Sequence, residues 1–377
     1  MFVYTLLNLI KSPLRLLQLI LSTFIVFSLI LGAMAFEGSL SQSLSISGDD
    51  KNVILIGAGS EESLERSEIP LAAFAAAKTI PGLKRVFAQS AASPEVHFNS
   101  VIHIEDRDVE MLLRGVQAES LHVYPKLRIT VGHFPHSGQI MLGKSSLNRL
   151  GLEDNSLQVG DKLIIEKQTF TISAFFEQAG SVMNSEIWMN LGDLNAITRR
   201  DTLSAIVLRL DQAEYDDIDL FTKQRLDLQL SALRESTYYN KLETFYQPIL
   251  WMVWVSALLI AAGALFGGMN TFYAYGESRM KELATLQAIG FSRQALFASM
   301  WGESIIIHLF AFQLAAGLSL YFLPAISLSF GSTYFALQLS QEQLWIGLGL
   351  AIGLASCVII PPAWHCLSPP LNSTLRS

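Results

Sequence analysis

The chain is expected to be an α-helical membrane protein with four transmembrane helices and an extracytoplasmic α/β domain carrying an inserted β-rich subdomain. Three observations predict this. Its 377 residues are 51% apolar and only 16% charged, and the mean hydropathy of +0.37 exceeds what a soluble protein of this size needs. Four long stretches carry almost no charge. Of the 26 basic and 33 acidic residues, 20 and 29 respectively fall between positions 37 and 248.

The first charge-free stretch, residues 16–36, lies between Arg15 and Glu37, and at ~1.5 Å per residue it crosses a ~30 Å hydrocarbon core. Gly32-Ala33-Met34-Ala35 resembles the small-residue site that ends a secretory signal. The apolar run is longer than the usual ~7 to 15 residues of such signals, however. The start of the chain (Phe2, Leu6, Leu9 and Ile10 with Asn8 and Lys11) suits a helix lying on the inner membrane surface, so a retained anchor is expected. A second apolar helix is centred on 249–269. A third, about 295–323, leads to a loop opening at Pro324 and rich in Ser, Thr and Gln. The fourth covers about 344–360 and is expected to end at Pro361-Pro362. The expected organisation is 1–36, 37–248 and 249–377.

Orientation follows from Lys and Arg in short flanking segments, which resist translocation. Lys11 and Arg15 precede helix one, and Arg279, Lys281 and Arg293 lie between helices two and three, whereas the loop between helices three and four has none. Both termini are therefore expected in the cytoplasm of a bacterial cell, with residues 37–248 outside the inner membrane.

Within 37–248, residues 52–56 suggest a buried strand, 69–79 an alanine-rich helix closed by Pro81-Gly82, and 84–89 and 96–105 further strands. From about 121 to 191 turn signals at His136-Ser137-Gly138, Gly151, Gly160-Asp161 and Gly180 punctuate short β runs. A strand at 204–210 and a long amphipathic helix at 213–234 complete an α/β unit in two parts, about 50–118 and 203–240. The β-rich insert lies between them, at about 120–200.

Several function classes are disfavoured. Net charge −7 leaves no electrostatic basis for nucleic-acid binding. Two cysteines, Cys357 and Cys366, cannot staple the central region. Residues 53–60 read strand then G-x-G, but Glu62 stands where a dinucleotide fingerprint needs its third glycine. His133 and His136, with His97 and His103 upstream, make a weak metal pattern without nearby cysteine. No nucleophile motif and no G-x-x-x-x-G-K-[ST] occurs, so neither catalysis nor ATP binding by this chain is expected.

The segment ESRMKELATLQAIGFSR at 277–293 is similar to the E-x-x-R-E-I-x-x-L-R-A-[LI]-G block of the MacB/FtsX-type permeases of ABC transporters, also called mechanotransmission or type VII. Glu303 falls where that family often has Glu in its third helix. Leu7-Asn8-Leu9, Pro362-Ala363 and Leu375-Arg376 resemble its two ends. Arg114-Gly115-Val116, SGQIMLG at 137–143, Leu150-Gly151-Leu152, Val159-Gly160-Asp161 and FEQAGS at 176–181 resemble its extracytoplasmic domain. Gln287 departs from the family's arginine, and the tail keeps only Arg376, so cytoplasmic contacts are expected to be less electrostatic than is usual.

The resemblance implies a permease subunit without its own motor, its ATP bound by a separate cytoplasmic ABC ATPase and no cofactor on this chain. It also implies a second permease copy or paralogue, and admits a periplasmic adaptor and membrane lipid as partners. Residues 279–289 form an amphipathic helix, with Met280, Leu283, Ala284, Leu286 and Ala288 on one side and Lys281, Glu282 and Thr285 on the other. Gly290 offers a stop and Ser292 a cap. The resemblance makes this the coupling helix that docks on the ATPase, through Glu277, Arg279, Lys281, Glu282, Leu283, Leu286, Gly290 and Arg293. Glu303 and His308 are ionisable groups inside a hydrophobic span and demand partners. A structural hydrogen-bonding role is favoured over a proton relay. The expected function is efflux or extraction of a lipidic, lipoprotein or peptide substrate. The alternative is mechanical activation of an extracytoplasmic partner such as a cell-wall hydrolase.

Overall fold

The computed structural model describes residues 13–61, 63–104, 107–153, 156–330 and 333–368. The amphipathic start of the chain and Leu375-Arg376 lie outside the described residues. The chain divides into two compact units: a sheet unit of Leu40–Tyr246 with Ser327–Phe335, and a helical unit made of the rest.

Helix α1 (Pro13–Ser47) runs eleven residues beyond the charge-free stretch that announced it. It leads into strand β1 (Asn52–Gly57), then β2 (Ile69–Pro70) and helix α2 (Leu71–Ala77), shorter than the helix expected over 69–79. Among the described residues the only helical element between β1 and β2 is a three-residue 3-10 turn at Leu64–Arg66, so no α-helix follows the G-x-G to hold a pyrophosphate. The strand expected at 84–89 is instead a small hairpin, β3 (Arg85–Val86) and β4 (Gln89–Ser90). It turns on Phe87 and Ala88, both at positive φ.

Strands β5 (Ala92–Ile104) and β6 (Arg107–Val116) form the backbone of the unit. The first half of β5 pairs with β13 (Ala205–Arg209) and the second half with β6. Beyond β6 lie β7 (Arg128–Gly132), β8 (Gln139–Gly143), β9 (Lys162–Ile165), β10 (Gln168–Glu177) and β11 (Ile187–Asn190). The inserted β module is thus joined to the rest through one long strand that changes partner. The sheet is ordered β14-β1-β13-β5-β6-β11-β8-β10-β7, with β14 being Leu230–Arg234. β12 (Thr202–Leu203) pairs separately with β2. Helices α3 (Leu191–Thr198) and α4 (Tyr215–Gln224) pack on this sheet.

The helix expected over 213–234 does not persist. It stops at Gln224, gives way to a 3-10 turn at Leu226–Leu228, and Gln229 adopts φ +49 before β14 begins. The competing interaction is the open edge of β1, whose backbone groups pair with β14 from Val53↔Arg234 to Gly57↔Leu230. A ladder of that kind satisfies buried backbone groups that an extended surface helix would leave orphaned.

At the point where β5 changes partner sits Arg114, 3% exposed. Its Nε and Nη2 donate to the two oxygens of Glu186, each at 2.7 Å, and its Nη1 donates to Glu95 Oε2 at 2.8 Å. Tyr124 donates to the other Glu95 oxygen at 2.9 Å, and Trp188 Nε1 donates to Glu186 at 2.8 Å. His97 Nε2 lies 3.0 Å from Glu95. Burial pushes the Glu95 carboxyl up, but Arg114, aided by His97, outweighs it and holds that carboxyl down at about 2. The RGV motif of the sequence therefore marks a charge centre. Its Gly115 leaves room for Leu194 of α3, 3.0 Å from where a Cβ would stand.

The helical unit begins with the membrane part of α1. It continues with α5 (Glu235–Ser278), α6 (Met280–Ala288) and α7 (Arg293–Phe322). Along the chain the hairpin β15 (Ser327–Phe330) and β16 (Thr333–Ala336) comes next and belongs, up to Phe335, to the sheet unit, and α8 (Gln341–Leu367) returns to the helical unit. Four of these helices, α1, α5, α7 and α8, are long and apolar enough to span a membrane. Phe27 of α1 and Phe312 of α7 meet edge to face, with ring centroids 5.6 Å apart.

Helix α8 does not end at Pro361-Pro362 as expected but continues to Leu367. A proline inside a helix costs roughly 3 kcal/mol. Here the residues beyond it, Ala363, Cys366 and Leu367, are buried in one cluster with Leu19, Phe272 and Leu283. Burying two such side chains is worth a comparable amount at roughly 1.5–3 kcal/mol each.

The Arg114 centre yields a prediction with a sign. Glu95 lies below its ordinary 4.5, so its stabilisation is complete above about 4.5 and is withdrawn as pH falls toward about 2. Arg114→Leu strands two buried carboxylates and should cost roughly 3–5 kcal/mol at pH 7. The penalty should shrink at pH 4, where Glu95, buried and relieved of the cation that holds its carboxyl down, takes up a proton. Melting curves of the purified protein at both pH values test this, and an equal penalty at both would show that the centre is not held by charge.

Candidate functional site

Helix α6 is set off by a break at each end. Arg279, at φ −113 and ψ 7, is non-helical and separates it from α5. Gly290, at φ +111, ends it in a conformation that a side chain would strain. Gly290 N–H donates to Gln287 O at 3.0 Å and Phe291 N–H to Leu286 O at 3.1 Å. Ser292 then caps α7, its hydroxyl accepting from Ala295 N–H at 3.2 Å. α6 is therefore a short rod between two joints.

Its buried side is in part the one the sequence suggests, but what that side meets is not. Leu283 is 4% exposed and Ala284 5%, and Leu283 packs with Phe272, Leu296 and Met300 of this same unit, with Leu286 beside it. Leu283, expected to be an anchor for a partner subunit, is a core residue. Leu286 is half-buried. Ala288, expected on the apolar side, is exposed. The exposed side carries Glu277, Lys281, Glu282, Thr285, Gly290 and Arg293. The large apolar residues that reach solvent there are Ile289, 72% exposed, and Phe291, 42%. Gln287 is half-buried.

Arg279 also turns inward. Its Nη1 donates to Tyr275 Oη at 2.7 Å and lies 3.0 and 3.2 Å from the two oxygens of Glu303 on α7. The guanidinium stands over the Tyr275 ring, 4.8 Å from its centroid, and Nε is 3.6 Å from Glu282. Arg279 is 8% exposed and Glu303 1%. The structure thus joins two residues that the sequence placed in different groups, one as a contact for the motor and one as an intramembrane polar group. The carboxylate inside the span answers the cation at the α5–α6 joint.

His308 makes no contact with Glu303 among the interactions described. Its Nδ1 donates to Ser304 O at 2.8 Å, and Ser304 donates to Ala355 O at 2.7 Å, tying α7 to α8. The ring borders a small cavity shared with Thr23, Gly268 and Leu354. The four histidines weighed as metal ligands are dispersed. His97 is bound to Glu95, His103 to Asp108, and His133 and His136 are exposed, their ring centroids 5.7 Å apart.

Two further features of the sheet unit escaped sequence reading. The outer ends of α1 and α5 are tied together by Glu235, whose Oε2 accepts from Asp49 N–H at 3.0 Å and from Asn52 Nδ2 at 2.9 Å. Arg209 Nη1 donates to Asn52 Oδ1 at 3.0 Å, extending the tie to β13. The two helix ends approach so closely that a Cβ on Gly48 would stand 2.7 Å from Ser236 Cα. Ser47 Oγ lies 3.0 Å from Ser181 Oγ and accepts from the next residue's N–H, Val182, at 2.9 Å, so Ser181 at the end of the 176–181 motif helps seat the end of α1. The second feature is the β15–β16 hairpin, whose Tyr334 is 7% exposed and lies under the guanidinium of Arg149, 5.9 Å from ring centroid to Cζ. Arg149 ends the one-turn helix Ser146–Arg149. The only advance signal for either feature was a polar residue at a position where burial is costly.

The Arg279–Glu303 pair should behave as one unit. Glu303→Leu alone leaves a buried guanidinium and should destabilise the protein by roughly 3–5 kcal/mol, whereas Arg279→Met with Glu303→Leu should recover most of that loss. Thermal melts in detergent decide it. Equal losses in single and double variants would mean the pair does not hold α6 to α7.

The family described as FtsX-like permease C-terminal matches residues 254–371, and the MacB-like periplasmic core domain matches residues 19–218, more than half of the chain. No curated protein matches the sequence significantly. Among solved structures, the periplasmic region of MacB from Actinobacillus actinomycetemcomitans is 11% identical, with TM-score 0.40, covering 52% of this chain and 94% of its own. The extracellular domain of YknZ, an ABC-type transporter from Gram-positive bacteria, is 12% identical, with TM-score 0.37, covering 48% and 99%. With the permease block around α6 and the periplasmic core domain both matched in order, the chain belongs to the MacB/FtsX-type family of ABC transporter permeases.

Proposed function

We propose that this permease relays the motion of a cytoplasmic ABC ATPase, which binds the ATP, to its extracytoplasmic sheet unit, and so drives export or extraction of a lipidic, lipoprotein or peptide substrate. The observation that carries the reading is the Arg279–Glu303 bond. It prevents α6 from swinging independently of α7, so a push on α6 moves a membrane helix instead of being lost at a flexible loop. Continuity of α1 and α5 through the bilayer, and the Glu235 tie between their outer ends, support the remainder of the path. A second permease copy is the natural partner for α5. Only 6% of its most apolar window is buried within this chain, and Trp251, Met252, Leu258 and Leu259 are each more than two-thirds exposed. Substrate passage through an adaptor completes the proposal where an outer membrane must be crossed.

In this reading both termini are cytoplasmic, and Glu277, Lys281, Glu282, Ile289 and Phe291 face the ATPase. Single cysteines at Gln168 and Ser278, both exposed positions, report the orientation. With Cys357 and Cys366 replaced, an impermeant thiol reagent should label Gln168→Cys in spheroplasts and leave Ser278→Cys untouched. The reverse pattern would invert the topology.

The docking surface is tested separately. Ile289→Asp should abolish copurification of the cognate ATPase and permease-stimulated hydrolysis while leaving permease abundance unchanged, since a buried apolar anchor contributes typically about 2 kcal/mol or more. Leu283→Asp should instead lower permease abundance itself, because it places a charge in the core. Full ATPase binding by Ile289→Asp would remove α6 from the interface.

A further inference from the structure

Between the first turn of α7 and the last turns of α8 lies an open groove of about 320 Å³, lined by Arg293, Phe297, Ile360, Trp364, Leu367 and Ser368, with the Gln294 amide beside them. The groove is wholly within the helical unit. Its walls are mostly apolar, and Trp364 and Ile360 are 73% and 45% exposed. Its polar end is the Arg293 guanidinium, which is exposed and has no ion-pair partner among the described residues. Among the described residues no carboxylate lines the groove. Ser368 is already engaged, its hydroxyl donating to Trp364 O at 2.6 Å.

The chemistry of that lining is specific. Arg293 is the first residue of a membrane-spanning helix, so it sits where headgroups meet hydrocarbon, the level at which tryptophan is also favoured. A planar guanidinium matches the paired oxygens of a phosphodiester. An inorganic phosphate would gain nothing from Phe297, Ile360 and Trp364, and a neutral hydrocarbon would leave the cation unanswered.

We propose that this groove binds an anionic phospholipid, its phosphodiester at Arg293 and an acyl chain along Phe297, Ile360 and Trp364. The assignment moves Arg293 from the motor interface to the lipid interface. Placing the lipid in the cytoplasmic leaflet rests on the orientation proposed above, but binding itself does not.

Binding is measured on the full chain in detergent by native mass spectrometry, titrating phosphatidylglycerol, phosphatidylcholine and inorganic phosphate in parallel. Phosphatidylglycerol should bind at least fivefold more tightly than phosphatidylcholine, and phosphate should not compete at millimolar concentration. Arg293→Gln, an exposed change at the start of a helix, should remove the preference, about fivefold for one basic side chain at an anionic surface, and Arg293→Lys should keep most of it. Equal binding of the two lipids, or a preference unchanged in Arg293→Gln, overturns the proposal. So does tenfold tighter lipid binding after removal of residues 369–377, because the end of the chain would then be the occupant. Loss of the ATPase from Arg293→Gln with lipid preference intact would return Arg293 to the motor interface and overturn it as well. The orientation and the coupling role of α6 survive any of these lipid results, since neither enters the measurement.

Discussion

A guanidinium taken out of water has to be met by carboxylate, and each unit of this protein is organised around one such meeting. In the helical unit it is Arg279 with Glu303. Arg279 is the residue at which the long α5 stops and α6 begins, while Glu303 lies eleven residues into α7. Without the pair, the α5–α6 break would lose its buried tie to α7, and the direction of α6 would depend more heavily on the packing of Leu283, Ala284 and Leu286. In the sheet unit Arg114 plays the same part, drawing Glu95 of β5 and Glu186 beside β11 onto one cation. Buried pairs of this kind add little net stability over well-packed apolar groups. Their loss on one side is costly, however, and that asymmetry gives geometric specificity.

The bilayer supplies the complementary constraint. Hydrocarbon admits only backbone that satisfies its own hydrogen bonds, so the proposed relay of motion needs helices that run through it without a break. α1 and α5 meet that condition and continue into the sheet unit, where α1 is followed by β1 and α5 is preceded by β14, two strands that are hydrogen-bonded neighbours. Their common edge makes the Glu235 tie geometrically possible, and Gly48 removes the side chain that would keep the helix ends apart. On the other side, α6 is bounded by a non-helical residue and a positive-φ glycine. Stiff members meet at few, defined joints.

What could be read from the sequence follows the range of the physical forces involved. The four spanning helices were legible because a charge-free run of ~20 residues has few other uses. The existence of α6, its stop at Gly290, the Ser292 cap of the helix after it and most of its apolar side were legible because they are local, spanning at most a few turns. The Arg279–Glu303 pair was not, since its members are 24 residues apart and periodicity reports only neighbours on one helix. β14 failed for a related reason: Leu230 to Arg234 satisfies a helical pattern, and only the distant edge of β1 makes it a strand. Pro361-Pro362 misled because a local rule against helix continuation was outweighed by burial of Cys366 and Leu367 against residues far away in sequence. The apolar side of α6 was located correctly, but amphipathicity says which side is buried and not what buries it. Leu283 is covered by its own chain.

That last distinction changes what the proposed coupling demands of its partner. With Leu283 and Ala284 committed inward, the large apolar side chains left exposed near α6 are Ile289 and Phe291, both at its C-terminal joint, while the shaft itself offers Lys281, Glu282 and Thr285, with Glu277 just before it on α5. A partner gripping the shaft would depend on exposed charges, which are worth little each and are screened by salt. A partner gripping the joint would bury apolar side chains and act directly on Gly290, the hinge from which α7 departs. The second arrangement places affinity and leverage at the same residues. It also lets the Arg279–Glu303 bond serve as the fixed end of the rod, so that motion applied at Ile289 and Phe291 is resisted at one end and delivered to α7 at the other.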